Sequence, residues 1–117
     1  MMKESSLHGP VAGYFHTANG DDLDGFTKCF ADNAVLTDVN REIRGLEAIT
    51  EWARTEIFAA HVRFTLLNVR ESEGQTVVTV EIDGTFDRTG LPDPLVMDHA
   101  IRVADGKITQ LRTSLAS

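Results

Sequence analysis

The chain has 117 residues, of which 42% are hydrophobic and 25% are charged, which is typical of one globular domain with a single core. A formal net charge of -7 argues against nucleic acid and anionic membranes as partners, because both require basic patches. No apolar run approaches the roughly 18 residues that cross a bilayer, and the polar start does not resemble a secretory signal, so we expect a cytoplasmic protein.

Reactive and metal-binding groups are sparse in this sequence. Its single cysteine, Cys29, has no partner for an internal disulfide, and we interpret it as a helix residue that faces the core. Without a CxxC or HExxH pattern the sequence predicts no metal site, and it carries no cofactor motif. In this interpretation residues 1–9 form a polar tail and residues 10–117 form a single domain.

Three helices are predicted in the first half of the domain. Pro10 in a first turn and apolar residues at helical spacing predict a helix over residues 10–19. Asp21 or Asp22 can cap a second helix, which the segment ADN then ends. A third apolar stripe covers residues 46–58. The residues expected on the buried faces are Val11, Tyr14, Phe15 and Ala18, then Leu23, Phe26 and Cys29 or Phe30, then Leu46, Ile49, Trp52 or Ala53 and Ile57.

Strand-like patterns have a period of two. Before the third helix, a short strand is predicted over residues 34–38 and a loop over residues 41–45. After it, four longer strands alternate with turns, and Val78, Val80 and Ile82 share one face of the second. Helices grouped ahead of strands predict an α+β domain, with the helices packed on one face of a curved antiparallel sheet. The four strands are expected over residues 62–71, 76–87, 95–104 and 108–116.

The order of these elements, with the segments DLDGFTKCFADNAVLTD, RGLEAITEW and RVADGKITQLR, resembles the nuclear transport factor 2-like superfamily. Within it, the chain is similar to the branch of ketosteroid isomerases and SnoaL-like polyketide cyclases. The resemblance covers roughly residues 10–115 and implies a cone-shaped, cystatin-like α+β barrel with three helices on the concave face of the sheet. It also implies a cofactor-independent pocket, and a homodimer formed through the outer sheet face. This fold hosts several chemistries, so the fold alone does not establish the reaction.

The likeness to ketosteroid isomerase implies two catalytic groups. Tyr14, the segments DLDG and FAD, and Asp38 fall in the pattern of that enzyme without a gap. By this resemblance Asp38, at the end of the first strand, would be the general base that moves a proton next to a carbonyl. Tyr14 would donate a hydrogen bond to the developing enolate oxygen.

The second oxyanion donor of the family, an aspartic acid on a later strand, has two possible counterparts in the segment MDHAIRV. Aligning the DH pair selects Asp98, whereas counting back from the DGK hairpin selects His99. In a regular strand His99 shares the parity of the apolar Met97 and Ile101, so His99 is expected to point inward. A bulge between the two residues would point Asp98 inward instead.

The site hypothesis has structural alternatives. Tyr14 is also compatible with a core tyrosine, Asp38 with a loop cap, and His99 with a structural histidine. Three functional classes stay open: an isomerase, cyclase or dehydratase acting on an apolar carbonyl compound, a module that binds an apolar small molecule, and a protein that pairs through its sheet. The expected pocket residues are Phe15, Phe30, Trp52, Phe64, Ile82, Phe86, Met97, Ile101, Leu111 and Thr113.

Overall fold

A computed structural model describes residue 7 and residues 9–87 and 89–116 of the chain. Residues 1–6 and 8 of the predicted polar tail lie outside the described residues, whereas Leu7 is buried and Gly9 begins the first helix. The described helices are α1 (Gly9–Asn19), α2 (Leu23–Thr27) and α3 (Leu46–Ala53), which continues as a π-helix (Arg54–Phe58). The described strands are β1 (Phe30–Asp38), β2 (Arg41–Arg44), β3 (Arg63–Ser72), β4 (Gln75–Asp83), β5 (Leu95–Ala104) and β6 (Lys107–Leu115).

These strands form one curved, unclosed sheet in the order β2-β1-β6-β5-β4-β3. Neighbouring strands run antiparallel, except that β1 and β6 run parallel and bring the first and last strands of the chain together. The helices pack on the concave face, which confirms the predicted α+β architecture. The four predicted strands of the second half are β3 to β6, and the predicted third helix corresponds to α3 and its π-helical extension.

Three boundaries differ from the sequence-based expectation. Phe30 begins β1 and does not lie in the second helix, and the segment ADN belongs to that strand. The predicted loop over residues 41–45 is wrong, because Arg41–Arg44 pairs with β1 as an edge strand whose polar residues give no apolar alternation. The strand predicted to reach residue 87 ends at Asp83. A Cβ on the next residue, Gly84, would lie 2.9 Å from the carbonyl oxygen of Ala60.

The apolar face of α1 anchors the centre of the core. Val11, Tyr14, Phe15 and Ala18 are buried, which is the spacing that the helical period requires. The Tyr14 ring lies 4.8 Å from the Phe15 ring and 4.9 Å from the Phe26 ring, measured between centroids. This aromatic cluster fixes Tyr14 between the helices and the inner face of the sheet.

Candidate functional site

A cavity of about 590 Å³ opens between the α3 region and the concave face of the sheet. Its size falls in the range of pockets that hold small organic molecules. Tyr14 from α1, Asp38 from β1 and His99 from β5 all contribute to its wall, so the fold brings the three predicted catalytic residues to one space. Six of the predicted pocket residues also line it, namely Trp52, Phe64, Ile82, Phe86, Met97 and Thr113.

Four predicted pocket residues do not line the cavity. Phe15, Phe30, Ile101 and Leu111 are at most 2% exposed and belong to the hydrophobic core. The alternating pattern identifies a residue on the inner face of the sheet. It does not tell whether core side chains or the cavity cover that residue, and at the three strand positions core side chains do. Phe15 lies in α1 and packs in the same core.

Other residues of the wall were not anticipated as pocket residues. Two follow from helical spacing, since Thr55 and Glu56 come three and four residues after Trp52. Leu95 and Leu115 could have been identified from strand parity. Leu95 lies on the same face of β5 as His99, and Leu115 lies on the same face of β6 as Thr113. The remaining unanticipated residues of the wall are Val39, Ile57, Ala60, Val62 and Leu91.

The Asp38 carboxylate is held by three side chains. Thr113 Oγ1 donates to Asp38 Oδ1 at 3.1 Å. Trp52 Nε1 and Arg41 Nη2 donate to Asp38 Oδ2 at 3.3 and 2.9 Å. The next residue, Val39, has a φ of 59°, which is uncommon for a β-branched residue, and its N–H donates to the Thr113 carbonyl and hydroxyl oxygens. These contacts fix Asp38 at the end of β1, beside the cavity.

Arg41 links Asp38 to a second carboxylate. Its Nη2 also donates to Glu56 Oε1 at 2.7 Å, so one nitrogen joins β1 to the π-helical extension of α3. Hydrogen bonds to Glu56 and to Asp38 raise the pKa of Arg41 above its usual value. Nothing in the local sequence of Asp38 indicates this partner, because Glu56 lies 15 residues after Arg41.

Tyr14 and His99 place uncharged polar groups at the buried part of the cavity. Tyr14 is 0% exposed and His99 is 2% exposed, and within the described part of the chain neither the Tyr14 hydroxyl nor His99 Nδ1 has a hydrogen-bond partner. Burial, followed by the nearby charge of Asp38, raises the pKa of Tyr14 well above its usual value. Burial lowers the pKa of His99 to about 4, although Asp38 and Asp98 favour its charged form.

Asp98 lies on the opposite face of β5 from His99. Thr79 Oγ1 donates to Asp98 Oδ1 at 2.5 Å, and Arg70 Nη2 lies 3.9 Å from Asp98 Oδ2. The register between β5 and β6 shifts only between Arg102 and Val103, away from this pair. Strand β5 is therefore regular at Asp98 and His99, so the two side chains lie on opposite faces. The His99 side chain lines the cavity.

Within residues 7, 9–87 and 89–116, no group of three or more His, Cys, Asp or Glu side chains is arranged to hold a metal ion. Within the same ranges no helix combines the length and the apolar character needed to cross a membrane. Cys29, interpreted as a core helix residue, follows α2 and is partly exposed.

Known proteins share this α+β fold, with helices packed on a curved sheet. The family model of the SnoaL-like domain matches residues 11–111, and the chain therefore belongs to that family. This membership confirms the resemblance drawn from the sequence motifs. No curated protein matches the chain significantly.

Solved structures extend the comparison of the fold. A candidate polyketide cyclase from Sinorhizobium meliloti superposes with a TM-score of 0.85 at 23% identity, over 97% of this chain and 100% of that one. A candidate ketosteroid isomerase from Kribbella flavida gives a TM-score of 0.75 at 15% identity, over 92% and 76%. RV0760c from Mycobacterium tuberculosis, in complex with estradiol-17beta-hemisuccinate, gives 0.74 at 18% identity, over 93% and 95%. At these identities the likeness establishes the shared fold.

Proposed function

We propose that the protein catalyses proton transfer on an apolar carbonyl compound, with Asp38 as the general base and Tyr14 as the oxyanion donor. The reaction class is that of a ketosteroid isomerase-like isomerase or a SnoaL-like cyclase or dehydratase. One observation carries the proposal: the Tyr14 hydroxyl and His99 Nδ1 are buried without a partner among the described residues, and they belong to side chains that line the same cavity as Asp38. Buried polar atoms are normally paired, so unpaired ones beside a cavity favour a ligand as the partner.

The chemistry follows from the hydrogen-bond capacity of each group. Asp38 Oδ1 accepts one described hydrogen bond, from Thr113 Oγ1, which leaves a lone pair for a substrate proton. Asp38 takes a proton from the carbon next to the carbonyl, and the C–H electron pair forms the enolate. Tyr14 stabilises the negative enolate oxygen by donating its O–H. Return of the proton from Asp38 to another carbon gives the isomer.

The role of His99 is to stabilise the same oxygen without carrying charge. With its pKa lowered to about 4, the imidazole is neutral at physiological pH. In the tautomer protonated at Nδ1 it donates a hydrogen bond to the ligand. His99 thus replaces the aspartic acid that the resemblance leads one to expect at this position.

The wall of the cavity favours an apolar ligand. Trp52, Phe64, Phe86 and Met97 supply large apolar surfaces. RV0760c, which has the same fold, is in complex with estradiol-17beta-hemisuccinate, which joins an apolar steroid body to a half-ester carboxylate. A ketosteroid is therefore a reasonable probe of the proposed reaction.

The proposal is tested by following a β,γ-unsaturated ketosteroid as it converts to its conjugated isomer, measured by ultraviolet absorbance. We expect turnover by the wild type. Asp38→Asn should lower kcat by roughly a hundredfold to ten-thousandfold, because the amide cannot accept the proton. The matched control is Asp24→Asn, which makes the same chemical change at an exposed position in α2 and should leave the rate unchanged. Equal rates for Asp38→Asn and wild type would refute Asp38 as the base.

A second candidate function, a binding module without catalysis, is favoured by the contacts of Asp38. Its three side-chain donors, including the Arg41 guanidinium, suit a carboxylate whose purpose is structural. In that case the steroid binds but wild-type protein produces no isomer. A fluorescence titration that shows binding, together with no absorbance change, would select this function over catalysis.

A further inference from the structure

Charged groups near the cavity indicate which ligands it admits, and this inference rests on the proposed function. Asp38 and Glu56 both line the cavity, and Arg41 Nη2 contacts both, at 2.9 and 2.7 Å. Two carboxylates against one guanidinium leave one excess negative charge. Of the described residues that line the cavity, none is a lysine or an arginine. A ligand carboxylate would therefore find no free cation in this wall.

The buried part of the cavity offers hydrogen bonds without charge. The Tyr14 hydroxyl and His99 Nδ1 lack partners among the described residues, and each belongs to a side chain that is at most 2% exposed. An ionised ligand group placed there would lose its hydration without gaining an opposite charge, which is costly. A carbonyl or hydroxyl group would instead be satisfied.

The exposed part of the cavity wall includes three large apolar side chains beside the polar Thr55 and Glu56. Val39, Leu91 and Leu115 all line the cavity and are 40% to 50% exposed, and they are among the most exposed large apolar residues of the described chain. An apolar ligand body that passes them would remove their surface from water, which is favourable. The rim of the cavity thus combines an apolar surface for the body of a ligand with the negative charge of Glu56.

We propose that the cavity selects uncharged ligands that carry one hydrogen-bonding group at the buried end and an apolar body toward the rim. Glu56 enforces this selectivity, because its charge and that of Asp38 together outweigh the single positive charge of Arg41. A ligand carboxylate that approached Arg41 would come close to both of these carboxylates and would be repelled by them.

The test compares two steroids of nearly equal shape at neutral pH. Progesterone is the uncharged probe, and the acid probe is the matched androstene in which a carboxylate replaces the acetyl group. Binding is followed by fluorescence of Trp52, the single tryptophan of the chain, which lines the cavity. Wild-type protein should bind the acid at least about tenfold more weakly than progesterone. This comparison needs no variant.

Glu56→Gln then tests the assigned residue. Removing one of the two negative charges beside Arg41 should raise the affinity for the acid, relative to that for progesterone, about fivefold. The matched control is Glu51→Gln, which makes the same change on an exposed α3 side chain that pairs with Arg54 and does not line the cavity. It should leave the ratio of the two affinities as it is in wild type.

Three results would overturn the inference: equal affinities of wild type for the two steroids, equal shifts for Glu56→Gln and Glu51→Gln, or no binding of progesterone. Selectivity is measured from binding alone. If the protein binds progesterone selectively but isomerises no ketosteroid, the proposed catalysis is refuted. The proposed ligand class is still supported in that case.

Discussion

Two polar atoms without a partner among the described residues define the site at the scale of single residues, namely the Tyr14 hydroxyl and His99 Nδ1. A buried donor or acceptor that stays unsatisfied costs about 1–3 kcal/mol. Apolar side chains of similar size would avoid this cost. The presence of the two polar groups beside the cavity is consistent with a ligand that supplies the missing hydrogen bonds. Binding sites often lower the stability of the free protein in this way.

His99 should make the stability of the fold depend on pH. Its ordinary pKa of 6.5 applies to the unfolded chain, whereas burial lowers the pKa to about 4 in the folded state. Between these values the unfolded chain binds more protons, so the stability contributed by the neutral imidazole is present above 6.5 and is lost as pH falls toward 4. The loss amounts to about 3 kcal/mol. His99→Gln should remove it, as measured by urea unfolding at about pH 7 and about pH 4.5.

A second histidine serves as the control for this measurement. His61 is exposed, and His61→Asn should keep the acid sensitivity of the wild type. The comparison uses the difference in unfolding free energy between the two pH values, so a uniform loss of stability in a variant cancels. If His99→Gln loses as much stability on acidification as wild type does, the folded-state pKa of His99 is not lowered.

The candidate site was only partly predictable at this scale. Strand parity places His99 inward because a regular strand alternates its faces, and the structure has no register shift there. The partners of Asp38 are different. Arg41 lies in a segment that resembles a loop, and Glu56 approaches it only when α3 packs against β1 and β2, which a local pattern does not encode.

Asn19 connects two elements that flank the cavity. At the end of α1, its side chain donates to the Phe64 carbonyl at 3.0 Å and accepts from the Phe64 N–H at 2.8 Å. This pair satisfies both backbone groups of one residue in the edge strand β3. Asn19→Ala should lower the free energy of unfolding by about 1–3 kcal/mol, because it leaves both groups unpaired. Chemical denaturation at neutral pH measures the change.

The control for Asn19 is Asn33→Ala, an exposed substitution in β1 that should change stability by less than about 0.5 kcal/mol. Asn19→Asp is a sharper variant, since it keeps the acceptor for the Phe64 N–H and removes only the donor. Its cost should fall between those of the other two. A stability equal to wild type for Asn19→Ala would show that the pair contributes nothing to holding α1 on the sheet.

How well each helix or strand can be predicted from the sequence depends on how regular its apolar pattern is. The buried faces of α1 and of β4 are strongly periodic, and both elements occur where they were expected. The edge strand β2 has four residues, of which only Ile43 is apolar, so no alternation reveals it. Its strand geometry comes from pairing with β1, which is a tertiary effect.

The cavity is a property of the whole molecule. Sequence patterns indicate which side chains face inward, but the volume that remains open depends on how far the helices cover the curved sheet. Ile101 and Leu111 on the inner face of the sheet belong to the packed core, whereas Met97 and Thr113 on the same face reach the open space. The same limit applies to assembly: a homodimer through the outer sheet face stays a prediction, which sedimentation analysis of the purified protein can test.

The most direct test of the central claim is the exchange of the protons next to the carbonyl of a saturated ketosteroid in D₂O, followed by NMR. This measurement detects the proton-transfer step and does not require a double bond to migrate. We expect wild-type protein to accelerate exchange and Asp38→Asn to return it to the rate without protein, while Trp52 fluorescence shows that the variant still binds the ketone. Exchange by Asp38→Asn at the wild-type rate, or no acceleration by wild type that binds the ketone, would contradict Asp38 as a catalytic base.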